Sequence, residues 1–145
     1  QISGVRPRSL QEEALVSCLK MGSRSHGEPF AEAKLITCIK GEIWDVFLDL
    51  RLGSPSYGKY NYLVLSENSK NSLFIPEGFA HGFQTMEDSS QLLYLHTEYY
   101  KPDSESGLAF NDPSLAISWP LPIHDISERD KNFPFLTKQF SGLIL

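Results

Sequence analysis

The chain reads as an antiparallel all-β domain with helix confined to short segments near its ends. Three observations predict this. Between Ala33 and Thr97, short runs rich in Val, Ile, Leu, Tyr and Phe recur at near-regular spacing, the pattern of a sandwich or barrel. Turn residues separate these runs, notably Lys40-Gly41, Gly53-Ser-Pro-Ser56, Asn68–Asn71, Pro76-Glu-Gly78 and Glu87–Ser90. Beyond Asp103, prolines at 113, 120, 122 and 134 prevent long regular elements.

The elements follow in order. Ser9 with Glu12 three residues on makes a capping box ahead of Leu15, Val16 and Leu19, predicting a helix. A strand through Leu15–Leu19 is the competing reading. Gly22 to Pro29 is turn-rich and reads as a loop. Strands are expected over Lys34–Ile39, Glu42–Arg51, Tyr60–Ser66, Leu73–Ile75, Phe79–Met86 and Gln91–Thr97. From Asp103 the chain reads as loop. A short helix is expected around Ser127–Asn132 with Ser127 as its cap.

Composition narrows the function classes. At 145 residues the chain reads as one domain long enough for a core. A net charge of −5 argues against a nucleic-acid or anionic-membrane surface, while leaving room for a local basic pocket that takes one phosphate group. Cys18 and Cys38 are too few for a disulfide framework and sit in apolar stretches, so they read as small core residues with free thiols in a reducing cytoplasm. No apolar run reaches the length of a spanning helix, and the N-terminus lacks the order of a signal peptide. The chain opens on Gln1 rather than Met, so a processed or truncated start is expected.

Polar residues inside apolar runs are the candidates for chemistry. Phe79, His81 and Phe83 alternate onto one face after the Pro76-Glu-Gly78 turn. An imidazole there is either a core histidine satisfied by a neighbour or a working group. Leu92, Tyr94 and His96 likewise share a face. Asp45 lies among Ile43, Trp44, Val46 and Phe47, where a carboxylate is costly unless paired; Lys34, on the neighbouring strand, is the expected partner.

Pro76 to Phe83 (Pro-Glu-Gly-Phe-Ala-His-Gly-Phe) resembles the signature of the dTDP-4-dehydrorhamnose 3,5-epimerases, the RmlC-like group within the cupins. Other stretches resemble the same family in the same order. They are Ala33-Lys34-Leu35, Gly41 to Arg51, Gly53 to Gly58, Leu93-Tyr94 through Tyr100-Lys-Pro102, Asn111-Asp-Pro113, Trp119-Pro120 and Ile126 to Asp130. The resemblance runs from about Pro29 to Phe135 and implies a jelly-roll, or double-stranded β-helix, cupin domain over residues 1–145, with 1–28 divergent. It implies epimerisation of a dTDP-linked 4-keto-6-deoxy hexose in rhamnose or related deoxysugar biosynthesis, without metal or redox cofactor, in a cytoplasmic homodimer. By the same resemblance Tyr94 is the acid, Lys34 stands near the carbonyl oxygen, and Asp130 orients the base histidine. His81, Asp45, Glu105 and Tyr100 are the implied substrate contacts. His96 stands where the family usually has a small residue, and is read as a further contact or an alternative base.

The N-terminal part departs from the family pattern. The family base sits in an Arg-Gly-Leu-His motif, and counting back from Lys34 puts Arg24 at the His position and Met21 at the Arg. His26 is two residues later, a shift of roughly 7 Å along a strand, and is the candidate base. A non-catalytic sugar-nucleotide-binding relative is the alternative reading. A metal cupin is the third and weakest, since only His81 fits that ligand pattern.

Overall fold

The structure is a computed structural model that describes residues 16–22, 24–25, 28–29, 32–97 and 105–144. Among the described residues, ten strands and one helix follow in chain order. They are β1 (Val16–Gly22), β2 (Arg24–Ser25), β3 (Glu28–Pro29), β4 (Lys34–Lys40), β5 (Glu42–Asp49) and β6 (Tyr60–Ser66). After these come β7 (Ser72–Ile75), β8 (Phe79–Thr85), β9 (Gln91–His96), β10 (Glu105–Leu108) and α1 (Glu128–Lys131). A five-stranded sheet has the order β10-β1-β8-β5-β6, and a three-stranded sheet the order β7-β4-β9. The named strands pair antiparallel throughout.

The two sheets bury a shared core. Ile36 and Cys38 of β4 and Ile75 of β7 meet Ile43 of β5 and Leu65 of β6, with Phe47, Phe79, Phe83 and Tyr94 packed around them. The free thiol of Cys38 is buried, as expected of a small core residue; the Cys18 side chain lies outside the described residues. The larger sheet is covered on its other face as well. Trp44, Val46, Leu48, Ala80 and Leu108 of the sheet pack there against Leu115, Trp119, Leu136 and Leu143 of the C-terminal segment. Burial on both faces explains why β5 is nearly continuous in apolar residues rather than alternating.

Specific polar contacts fasten the C-terminal segment to the sheet. Gln84, wholly buried on β8, donates through Nε2 to the Leu121 carbonyl at 2.9 Å and accepts through Oε1 from the Leu121 N–H at 3.1 Å. Asp112 accepts from Ser114 and from the Leu136 N–H. The helix forms as expected, with the Ser127 hydroxyl accepting from the Asp130 N–H at 3.1 Å.

Three expectations are corrected. The helix over Val16 and Leu19 is instead the strand β1, because its backbone groups are taken by β8 on one side and β10 on the other. Tertiary pairing overrides the local helix signal; Ser9 and Glu12 lie outside the described residues. Gly22 to Pro29 is not all loop, since Gly22 ends β1 and Arg24–Ser25 pairs with Glu28–Pro29. The stretch after Asp103 contains β10, a short strand paired to β1. Its Gly107 is demanded by packing, because a Cβ there would stand 2.6 Å from the Phe133 ring.

Gln84→Leu keeps the apolar bulk but leaves both Leu121 backbone groups without their partner. Stability is expected to fall by about 2 kcal/mol, read as a lower denaturant midpoint at unchanged slope. An unchanged midpoint would show that the Gln84 contact holds nothing.

Candidate active site

The site is assembled where the inner faces of the two sheets meet. On the larger sheet, Phe47 is the register partner of His81 and Asp45 that of Phe83, so Asp45 and His81 lie diagonally on one face. His81 Nε2 lies 2.9 Å from Asp45 Oδ2, and both residues are buried. On the smaller sheet, Lys34 faces His96 and Ile36 faces Tyr94 across the β4–β9 ladder. Lys34, Tyr94 and His96 therefore share the inner face.

Ring contacts join the two sides. The Tyr94 ring meets His81 edge-on, with centroids 6.0 Å apart and planes at 67°. On its other side Tyr94 stacks on His96 at 5.8 Å and 21°. Phe83 stacks beside His81 at 6.5 Å. Aromatic neighbours at these separations hold one another's orientation as well as excluding water.

Burial governs the charges. It pushes the Asp45 carboxyl above its ordinary value, against the pull of His81 and the more distant Lys34. Among the described residues, Asp45 Oδ1 has no hydrogen-bond partner. Burial also pushes the Tyr94 phenol well above its ordinary value, and the Asp45 charge adds to this. A phenol so placed keeps its proton at neutral pH, which is the state a general acid needs.

Lys34 has a different partner from the one expected. Its Nζ lies 3.2 Å from Glu32 Oε2, not on Asp45. The reason is topological: β4 and β5 are consecutive in sequence but belong to different sheets. Glu32 also bonds His96, Oε1 to Nδ1 at 2.6 Å. Burial pushes the Glu32 carboxyl up, but the His96 bond and the Lys34 charge outweigh it and leave the carboxyl below its usual value. Sequence reasoning missed Glu32. The available signal was parity, since Glu32 stands two residues before Lys34 and extended chain places both on the face that carries His96.

Of the remaining candidates, Asp130 and Glu105 fall on described residues. Asp130 is buried on α1, with Oδ1 3.3 Å from Arg129 Nε. Glu105 opens β10 opposite Gly22. His26 and Tyr100 lie outside the described residues. Among the described residues, no group of three or more His, Cys, Asp or Glu is placed to hold a metal ion.

The family model described as dTDP-4-dehydrorhamnose 3,5-epimerase matches residues 11–138. A dTDP-4-dehydrorhamnose 3,5-epimerase of Methanothermobacter thermautotrophicus is 44% identical over 105 residues, covering 70% of this chain and 57% of that protein. The chain spans little more than half the length of the first curated relatives it matches. The crystal structure of a dTDP-4-dehydrorhamnose 3,5-epimerase from Bacillus anthracis, with TDP and pyrophosphate bound, superposes with a TM-score of 0.82 at 33% identity. That likeness covers 94% of this chain and 75% of the other. A dTDP-6-deoxy-D-glucose-3,5-epimerase from Legionella pneumophila, in complex with dTDP-4-keto-L-rhamnose, gives a TM-score of 0.76 at 33% identity. There the coverage is 89% of this chain and 70% of the other.

The raised phenol of Tyr94 has a spectroscopic consequence. Tyr94→Phe is expected to leave the phenolate absorbance gained up to about pH 11 unchanged, because a phenol held well above its ordinary value does not ionise there. A value raised in the folded state contributes stability that is present below the unfolded value near pH 10 and lost as pH rises through the folded one. A smaller absorbance gain in the variant would show that Tyr94 ionises as an ordinary tyrosine.

Proposed function

Because this chain belongs to the dTDP-4-dehydrorhamnose 3,5-epimerase family, we propose that it epimerises a dTDP-linked 4-keto-6-deoxy hexose at C3, C5 or both. The C4 ketone acidifies the hydrogens on its neighbouring carbons. A base removes one of them, negative charge develops on the ketone oxygen, and a proton returned to the opposite face inverts the centre.

We assign the roles by the family resemblance, together with the chemistry of the residues. Tyr94, kept protonated, returns the proton. The Lys34 ammonium stabilises the charge on the enolate oxygen. The Asp45 bond engages His81 Nε2, and we assign His81 Nδ1 to the ligand. His26 is the base and Asp130 the carboxylate that orients it, the service an acid performs for a histidine in a hydrolase triad. Glu105 and Tyr100 contact the substrate. The observation that carries this reading is the contact of Tyr94 with the Asp45-bound His81 across the two sheets. It sets a proton donor beside a buried polar pair.

The proposal extends to a single-domain subunit acting in the cytoplasm as a homodimer on its dTDP-sugar, in deoxysugar or rhamnose biosynthesis. Family membership supports this. So does the outer face of the smaller sheet, where the register neighbours Leu35, Phe74 and Leu95 are exposed at 36%, 62% and 44%. The net charge of −5 argues against a nucleic-acid surface. No helix among the described residues is long and apolar enough to cross a membrane.

The test is deuterium incorporation from solvent into dTDP-4-keto-6-deoxyglucose, followed by NMR. Wild type is expected to exchange C3, C5 or both. Tyr94→Phe is expected to slow inversion by at least about a hundredfold, and His26→Ala to abolish exchange. Exchange surviving His26→Ala would move the base to His96. No exchange by wild type while dTDP still binds would sink the enzyme reading and leave a sugar-nucleotide-binding protein.

A further inference from the structure

Glu32, to which the roles above assign nothing, is the junction of a small charged network. One carboxylate oxygen takes the Lys34 ammonium at 3.2 Å and the other takes His96 Nδ1 at 2.6 Å. The three side chains are sheltered, at 20%, 13% and 27% exposure for Glu32, Lys34 and His96. This separates them from exposed ion pairs, which contribute little. The geometry is also over-determined. Lys34 and His96 are register partners on β4 and β9. The Ala33 N–H donates to Thr97 Oγ1 at 3.0 Å, and the Thr97 N–H to the Ala33 carbonyl at 3.2 Å. These bonds pin the segment carrying Glu32 to the end of β9. The His96 ring in turn lies flat against Tyr94.

We propose that Glu32 is a positioning residue of the site, holding the Lys34 ammonium and the His96 imidazole on one carboxylate so that both stay in place beside Tyr94. The bond to Nδ1 also selects a tautomer. In neutral His96 the proton sits on Nδ1 and the lone pair on Nε2. Protonation of His96 changes the net charge of the trio from zero to +1, at the end of the site where an enolate oxygen would develop negative charge. Among the described residues, the titratable groups around His96 are Glu32 and Lys34 from the β4 side and Tyr94 on its own strand. The facing sheet brings the His81–Asp45 pair to the same Tyr94; Ile75, the β7 partner of Lys34, is apolar.

The inference rests on the epimerase reading, and the test separates the two. Glu32→Gln keeps the shape and removes the charge; Glu32→Asp keeps the charge. With dTDP-4-keto-6-deoxyglucose, Glu32→Gln is expected to lower kcat about tenfold, with KM within about threefold, as losses of orienting partners do. Glu32→Asp is expected to recover part of that loss. Glu32→Ala removes the acceptor at Nδ1, so the nitrogen shifts of labelled His96 imidazole should move from the Nδ1–H towards the Nε2–H tautomer. Unchanged imidazole shifts in Glu32→Ala would overturn the proposal. So would wild-type kcat in Glu32→Gln, or a loss explained entirely by a lower melting temperature. A wild type inert towards the sugar would sink the epimerase reading instead, and the imidazole shifts would then decide the network alone.

Discussion

The antiparallel ladder between β5 and β8 is the interaction on which both the core and the candidate site depend. One face of this strand pair contributes Ile43, Phe47, Phe79 and Phe83 to the space between the sheets. The other contributes Trp44, Val46, Leu48 and Ala80 to the packing against the C-terminal segment. Because side chains alternate with a period of two, a slip of one residue would exchange these faces and send Asp45 and His81 into the second core. The burial of both faces therefore fixes the register, and the register fixes the Asp45–His81 bond.

Buried carboxylates in this fold divide by how completely they are satisfied. Asp49 accepts from Arg51, Ser54 and Ser56, and its carboxyl is held far below the ordinary range, first by the Arg51 bond. Asp112 likewise collects Ser114 and Leu136. These are the contacts of turns and of loops fastened to a sheet. Asp45 differs, since it is wholly buried and one of its oxygens lacks a partner among the described residues. Such a group costs stability. Its position under His81 and in the field of Tyr94 gives it a use that stability alone does not.

The alternation around His81 and Tyr94 was enough to put each on an inner face, and the structure brings those faces together. The expected Asp45–Lys34 pair does not form, because adjacency in sequence is not adjacency in a sheet. In a two-sheet fold, β4 and β5 are joined by the short Lys40-Gly41 turn yet part into different layers. Glu32 was overlooked because it precedes the strand and shows its partners only once β9 is laid beside β4.

The amino-acid sequence by itself determined the β class, the six strands from Lys34 to His96, the Ser127 helix cap and the pair of polar residues set into apolar faces. These are local properties, carried by alternation, turn residues and capping side chains a few positions apart. Only the tertiary structure decided that Val16–Gly22 is a strand, that Glu105–Leu108 pairs with it, and that the carboxylates choose His81 and Lys34 as they do. Those outcomes depend on hydrogen-bond partners and charges far away in the chain, and no local pattern encodes which distant strand will supply them.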